Sequence, residues 1–113
     1  MTNVDRFIAY LRAYELKDIA QIAAMFAADI TLRDWKISVQ GKGAALAETR
    51  TNFDAASNIQ IDLLRVYEAN GAVAGELRIV VNGRDELFVV DVLDFNPEGQ
   101  VSAIRAFIGR GDK

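Results

Sequence analysis

The residue periodicity of this 113-residue chain changes once, from helical to alternating, and that change restricts the fold more than any other feature. Across Val4–Leu11, apolar residues fall at offsets of 0, 3, 4 and 7, as on one face of a helix. From Ile59 onward, apolar and polar residues alternate in part, and Asn70-Gly71 and Asn82-Gly83 are hairpin signals. Helices that precede a run of strands predict an α+β fold.

The pattern predicts helices over residues 3–15, 17–28 and 44–53, with Asn3 as the first N-cap and an extended segment at 29–35. It predicts strands over 59–69, 73–81, 86–95 and 100–108, joined as an antiparallel meander. We expect one domain over residues 1–113, in which a curled antiparallel sheet wraps around the helices and encloses a pocket.

Composition excludes several classes of function. The chain has no cysteine and no histidine, which excludes thiol catalysis and His-dependent triads and argues against a zinc or iron site. Its net charge of −3 and the lack of a basic run argue against nucleic-acid binding. No apolar run is long enough to span a membrane, and the N-terminus shows no signal region, so we expect a cytoplasmic protein.

Asp91 lies in the middle of "LFVVDVLDF" (Leu87–Phe95), a predicted strand that is apolar on both faces. It shares a face with Val89 and Leu93, whereas Asp94 lies on the opposite face near the strand end. Burial of an unpaired carboxylate is costly, so the pKa of Asp91 should be raised. The structural alternative is an acid satisfied by a backbone N–H or by Arg78.

Three further polar residues occupy positions that suit apolar ones. Asp34 closes the extended segment before Trp35, and Tyr10 and Tyr14 lie one turn apart at the border of the apolar face of the first helix. With no histidine available, acid–base chemistry must use carboxylates, lysines or tyrosines. The structural alternatives are a turn residue that accepts backbone hydrogen bonds for Asp34, and tyrosine hydroxyls in water.

The segment "YLRAYELKDIAQIAAMFAADITLRDW" (Tyr10–Trp35) resembles the N-terminal half of bacterial ketosteroid isomerases, or steroid Δ-isomerases. These enzymes belong to the NTF2-like, or SnoaL-like, superfamily, whose conical fold is also called cystatin-like. The segment "VVDVLDFNPEGQVSAIRAFIG" resembles their final hairpin, and only residues 36–58 match loosely. The resemblance therefore covers nearly the whole chain.

The resemblance implies an enzyme that moves a proton α to a ketone of a small hydrophobic substrate. Asp34 takes the position of the general base, and Tyr10 and Asp91 take the positions of the oxyanion-hole donors. In that family the counterpart of Asp91 is kept neutral so that it can donate a hydrogen bond. No metal or cofactor is implied. The expected substrate-binding residues are Tyr14, Trp35, Phe53, Leu63, Val89, Leu93 and Phe107.

The chain departs from the family pattern where further tyrosines support the catalytic one. Phe26 stands at the first such place, and Thr49 or Phe53 at the second. Tyr14 is a candidate substitute and also an alternative donor. Trp35 follows the expected base where the family often has proline, and it could narrow the entrance to the pocket.

Other functions fit the same scaffold. One is a SnoaL-like polyketide cyclase that uses the same base, and another is a non-catalytic NTF2-like module for ligand binding or dimerisation. Epoxide hydrolase chemistry of the limonene type is disfavoured, because no Arg-x-Asp lies on the predicted sheet strands. Phe88, Val90 and Val92 would leave an apolar patch on the outer face of the sheet, so we also expect a homodimer.

Overall fold

A computed structural model of the chain describes residues 1–112. Within them it contains three helices and six strands, which are α1 (Asn3–Glu15), α2 (Ile19–Met25), β1 (Phe26–Arg33), β2 (Ser38–Gln40), α3 (Lys42–Ala55), β3 (Ile59–Ala69), β4 (Ala72–Val81), β5 (Asp85–Phe95) and β6 (Val101–Ile108). None of these helices combines the length and the apolar character that a membrane crossing requires.

The predicted α+β fold is confirmed, with the helices packed inside a curled six-stranded sheet. The strand order is β2-β1-β6-β5-β4-β3, and β3 to β6 form the predicted antiparallel meander. The exception to the antiparallel expectation is β1, which lies parallel to β6, so the sheet is mixed. Parallel neighbours need a long crossover, and here β2, α3 and the strands β3 to β5 between them supply it.

Two local predictions were wrong, and one short strand was missed. The N-cap of α1 is Thr2 rather than Asn3, because Thr2 and Asp5 exchange side-chain-to-backbone hydrogen bonds of 3.0 and 3.1 Å in a capping box. The second helix ends at Met25, because Phe26 already pairs with Val101 at the start of β1. The three-residue strand β2 was missed because it is too short to show a period.

The hairpin signals are confirmed. Asn82 and Gly83 both adopt positive φ, at 57° and 66°, and connect β4 to β5. The Asn82 side chain also accepts hydrogen bonds from the backbone of Ser57 and Asn58, at 2.8 and 3.2 Å. The turn therefore holds the connection between α3 and β3 as well as its own hairpin.

Helix α1 is held against the sheet by polar contacts at one end and by close packing in the middle. Near its C-terminus, Glu15 accepts a hydrogen bond of 2.6 Å from the Ile61 N–H, and Arg12 donates one of 3.2 Å to the Ile61 carbonyl. In the middle, the fully buried Phe7 lies over Gly75 of β4. A Cβ atom at position 75 would come within 2.6 Å of the Phe7 ring.

Gly75→Ala is expected to lower the free energy of unfolding by about 1–3 kcal/mol, because the added methyl overpacks the buried Phe7 ring. Urea denaturation measures this loss. Gly43→Ala is the matched control, because no atom lies within 4 Å of a Cβ at that helical position. It should leave stability unchanged or raise it slightly. Equal stability of the two variants would contradict the proposed contact.

Candidate active site

The curled sheet and the helices enclose a cavity of about 500 Å³. Its walls are mainly apolar side chains from β3 to β6 and the helices, as is usual for small-molecule sites. The polar side chains in these walls are Tyr10, Tyr14, Asp34, Lys36, Glu48, Thr49, Thr51, Asn52 and Asp91. The structure thus brings Tyr10, Asp34 and Asp91 to one cavity, although they are far apart in the sequence.

Asp91 reaches the cavity because strand alternation turns it inward and its neighbours across the sheet are small. It pairs with Gly75 on β4 and with Ala106 on β6, so neither neighbour covers it. The salt bridge to Arg78 considered above does not form, because Arg78 instead pairs with Asp62 and Glu86 at 3.0 and 2.5 Å. Asp91 therefore lies in an apolar wall, without a partner cation among residues 1–112.

Its neighbour on the opposite face has a different environment. Asp94 accepts two hydrogen bonds, of 2.9 and 3.0 Å, from the Arg105 guanidinium. Burial raises the pKa of Asp91 to about 7, and the negative charge of Asp34 adds to the increase. The expected rise in the pKa of Asp91 is confirmed, whereas Asp94 has an arginine partner. A large fraction of the Asp91 carboxyl is therefore protonated near pH 7.

Tyr10 and Tyr14 project from the same face of α1 into the cavity, and their ring centroids are 5.9 Å apart. Burial raises the pKa of Tyr10 well above its usual value, and the nearby Tyr14 and Asp91 add to the increase. Burial also raises the pKa of Tyr14, which the charges of Asp91 and Asp34 raise further. Both phenols are therefore protonated, and Asp91 lies close enough to affect both of them electrostatically.

Neither the Tyr10 hydroxyl nor the Asp91 carboxyl makes a hydrogen bond with another group in residues 1–112. Every fully buried side-chain nitrogen and oxygen in that part of the chain has a hydrogen-bond partner. The unpartnered oxygens of Tyr10 and Asp91 are therefore not fully buried, and they face the open cavity that both residues line. A protonated carboxyl and a phenol can each donate one hydrogen bond. The cavity therefore presents two free donors in an apolar wall.

Asp34 lies at the end of β1 and is held by the loop that follows. Its Oδ1 accepts hydrogen bonds from the backbone N–H groups of Lys36 and Ile37, at 2.7 and 2.9 Å. This is the turn role considered above, but the same half-buried carboxylate also lines the cavity and leaves Oδ2 without a partner among residues 1–112. Asp34 can thus be fixed in orientation and still accept a proton.

The expected substrate-binding residues divide into two groups. Tyr14, Trp35 and Val89 line the cavity, whereas Phe53, Leu63, Leu93 and Phe107 do not. Phe107 faces outward and is 46% exposed, because strand alternation turns Ala106 inward instead. Leu93 points inward but is covered by the core, since both of its sheet neighbours, Val73 and Ile104, are buried.

The other two residues belong to the core around the helices. Phe53 is buried with its ring against Tyr14, at a centroid distance of 4.8 Å. Leu63 packs against the core beside Gly75. Sequence reasoning missed Asn52, which lies one residue before Phe53 and donates a 3.1 Å hydrogen bond to the Tyr14 hydroxyl. Only the three-dimensional position of α3 relative to α1 shows this contact.

No cluster of three carboxylates within residues 1–112 is arranged to hold a metal ion. The donors and the base can instead serve proton transfer. A carboxylate beside two hydrogen-bond donors can remove a proton from carbon while the donors stabilise the oxygen that becomes negative.

Comparisons with known proteins identify a family that the chain resembles over most of its length. The model of the SnoaL-like domain family matches residues 7–106. A steroid Δ-isomerase from Nocardioides simplex is 33% identical over 106 residues, which span 91% of this chain and 86% of that protein. The identity to this relative is high enough to carry family membership.

Solved structures share the fold at lower identity. SalBIII, an epoxide hydrolase/cyclase-like enzyme of pyran ring formation in salinomycin, superposes with a TM-score of 0.83 at 23% identity, over 95% of this chain and 90% of its own. A putative isomerase of the SnoaL-like family from Agrobacterium tumefaciens has a TM-score of 0.81 at 15% identity, over 97% of this chain and 100% of its own. At such identities the likeness concerns the fold alone.

Proposed function

The chain belongs to the SnoaL-like domain family, and from that premise we propose that it is an isomerase of the steroid Δ-isomerase type. Its substrate would be a small hydrophobic ketone with a neighbouring carbon–carbon double bond. The observation that carries the proposal is the shared cavity, in which a fixed carboxylate faces two unpartnered hydrogen-bond donors.

In the first step, Asp34 accepts a proton from the carbon α to the carbonyl. The C–H electron pair forms a carbon–carbon double bond, and the C=O π pair moves onto the carbonyl oxygen. Tyr10 and neutral Asp91 donate hydrogen bonds to that oxygen. Such bonds stabilise an enolate strongly, because the apolar walls exclude competing water. The two donors thus act on charge that develops only as the reaction proceeds.

In the second step, Asp34 returns the proton to the carbon at the far end of the dienolate, and the double bond moves into conjugation with the carbonyl. The base is restored and no net proton is gained or lost. Tyr14, Trp35 and Val89 would contact the hydrophobic part of the substrate. Trp35 lies beside the base and is 42% exposed, which suits a residue at the cavity entrance.

Conversion of a β,γ-unsaturated ketosteroid or of cyclohex-3-enone to the conjugated enone tests the proposal. The product absorbs in the ultraviolet and can be followed continuously. Enone formation above the rate in buffer supports the proposal. No turnover of either ketone, together with tight binding of an apolar phenol, would instead indicate a ligand-binding module.

We also propose that a second copy of the chain covers the outer face of the sheet. Phe88, Val90, Val92 and Phe107 lie on this face, and the Arg105–Asp94 pair beside them supplies both signs of charge for a two-fold contact. We expect a dimer in sedimentation velocity at micromolar concentration, and Val90→Lys should shift it to a monomer. Sedimentation of the unaltered chain as a monomer would contradict this proposal.

A further inference from the structure

Tyr14 is a third hydrogen-bond donor in the cavity wall, in addition to Tyr10 and Asp91. Its ring is held in place from two sides. It packs edge-on against Phe53, with a centroid distance of 4.8 Å and an interplanar angle of 74°, and it contacts Tyr10 on the other side. The hydroxyl therefore has a defined position before any ligand arrives.

The proton of that hydroxyl also has a defined direction. Asn52 donates a 3.1 Å hydrogen bond from its amide nitrogen to the Tyr14 oxygen. An amide NH₂ group cannot accept, so the hydroxyl is the acceptor and its own proton must point elsewhere. The hydrogen bond from Asn52 lowers the pKa of Tyr14, against the larger effect of burial, as a donor to the phenol oxygen should.

No acceptor in residues 1–112 takes the Tyr14 proton, and the hydroxyl lines the cavity. The proton is therefore free for a ligand. In the proposed reaction the ketone oxygen already receives hydrogen bonds from Tyr10 and Asp91. A carbonyl oxygen has two lone pairs, and two donors saturate it. A third fixed donor is in excess for a substrate that carries one oxygen.

We infer that Tyr14, held by the positioning residue Asn52, recognises a second oxygen of the substrate. The substrate class is then a hydrophobic ketone that carries a further carbonyl or hydroxyl group. This inference rests on the proposed function, which assigns the first oxygen to Tyr10 and Asp91. It adds Tyr14 as the group that binds a second oxygen, which a simple ketone does not have. A hydrophobic substrate that lacks the second oxygen would displace water from the Tyr14 proton and leave that proton without an acceptor, which disfavours such a substrate.

The test compares 2-naphthol, which has one oxygen, with a series of dihydroxynaphthalenes, which have two at different spacings. Affinities are measured by titration calorimetry at pH 6, where Asp91 is mainly neutral. We expect at least one dihydroxy isomer to bind about tenfold more tightly than 2-naphthol, the factor typical of one buried hydrogen bond. Tyr14→Phe should abolish this preference and leave the affinity for 2-naphthol within about twofold.

Asn52→Asp tests the positioning role, because a carboxylate at that place accepts the Tyr14 proton and removes it from the cavity. It should also abolish the preference, although the phenol ring is unchanged. Tyr67→Phe is the matched control. It removes the same atom from a tyrosine on the sheet surface, whose hydroxyl donates to Glu76, and it should leave the preference intact.

Three results would overturn the inference. In the first, no dihydroxy isomer binds more tightly than 2-naphthol. In the second, Tyr14→Phe lowers the affinity for both probes equally. In the third, Asn52→Asp leaves the preference for the dihydroxy isomer unchanged. If Asp34→Asn abolishes turnover while Tyr14→Phe keeps the preference, the proposed function stands and this inference fails. If 2-naphthol itself does not bind, the oxyanion site and this inference fail together.

Discussion

Asp34→Asn is expected to lower kcat/KM for enone formation by about 10²–10⁴-fold, the usual contribution of a positioned general base. The amide has nearly the same shape as the carboxylate, and its oxygen can still accept the backbone hydrogen bonds of Lys36 and Ile37. It cannot accept the substrate proton. Steady-state kinetics on the ketosteroid, with the ultraviolet readout, measure the loss.

Two observations separate loss of the base from loss of the cavity. The affinity for 2-naphthol should stay within about threefold of the unaltered protein, because Tyr10 and Asp91 are untouched. Asp29→Asn should keep full activity, because Asp29 is exposed on β1 and does not line the cavity. Activity that survives Asp34→Asn would remove this residue as the base and would leave the reaction without a proton acceptor.

Removal of the carboxyl at position 91 is expected to have the second-largest effect. Asp91→Leu should lower kcat by about 10²–10³-fold, because one of two donors to the enolate oxygen is lost. Asp91→Asn should lower it less, since the amide still donates a hydrogen bond. Equal activity of all three proteins would contradict a role for Asp91 at the developing negative charge.

The pH profile gives a sharper comparison of the same variants. Asp91 must be neutral to donate, and its pKa is about 7, so activity of the unaltered protein should fall as pH rises through 7. An asparagine donates at every pH in this range. Asp91→Asn should therefore lose this alkaline decline, measured as kcat/KM between pH 5.5 and pH 9. A decline that persists in the variant would belong to another group.

The same carboxyl should make stability depend on pH. Its pKa is about 7 in the folded chain against 3.8 as the ordinary value, so the folded state holds a proton that the unfolded state has lost between those values. The Asp91 contribution to stability thus falls as pH rises towards 7 and is constant above it. In urea denaturation, the stability gain of Asp91→Asn should grow from pH 5.5 to pH 7 and then level off.

Features of the site that depend on local pattern could be predicted from the sequence. Strand alternation decided that Asp91 faces inward and Asp94 outward, and helical spacing put Tyr10 and Tyr14 on one face of α1. The pair Asn82-Gly83 predicted a turn, because both residues tolerate positive φ. The roles of these side chains in catalysis stay predictions, but the structure places all three expected catalytic residues in one cavity.

Features that depend on contacts between distant segments could not be predicted in this way. The parallel pairing of β1 with β6 joins residues about seventy positions apart, and no local signal encodes it. Leu93 and Phe53 have the apolar character of a cavity wall, but neighbouring elements cover them. Asn52 looks like an ordinary polar helix residue until α3 lies beside α1.

The sequence by itself determined which residues are apolar, that Asp91 and Asp94 point to opposite faces of their strand, and that an acid must lie in an apolar strand. These properties follow from periods of two and 3.6 residues, which are local. Only the tertiary structure decided that Asp91 has no partner cation among residues 1–112, that its sheet neighbours Gly75 and Ala106 are small, and that Asp34 and Tyr10 line the same cavity. Those properties depend on which segments pack together, and packing is a property of the whole chain.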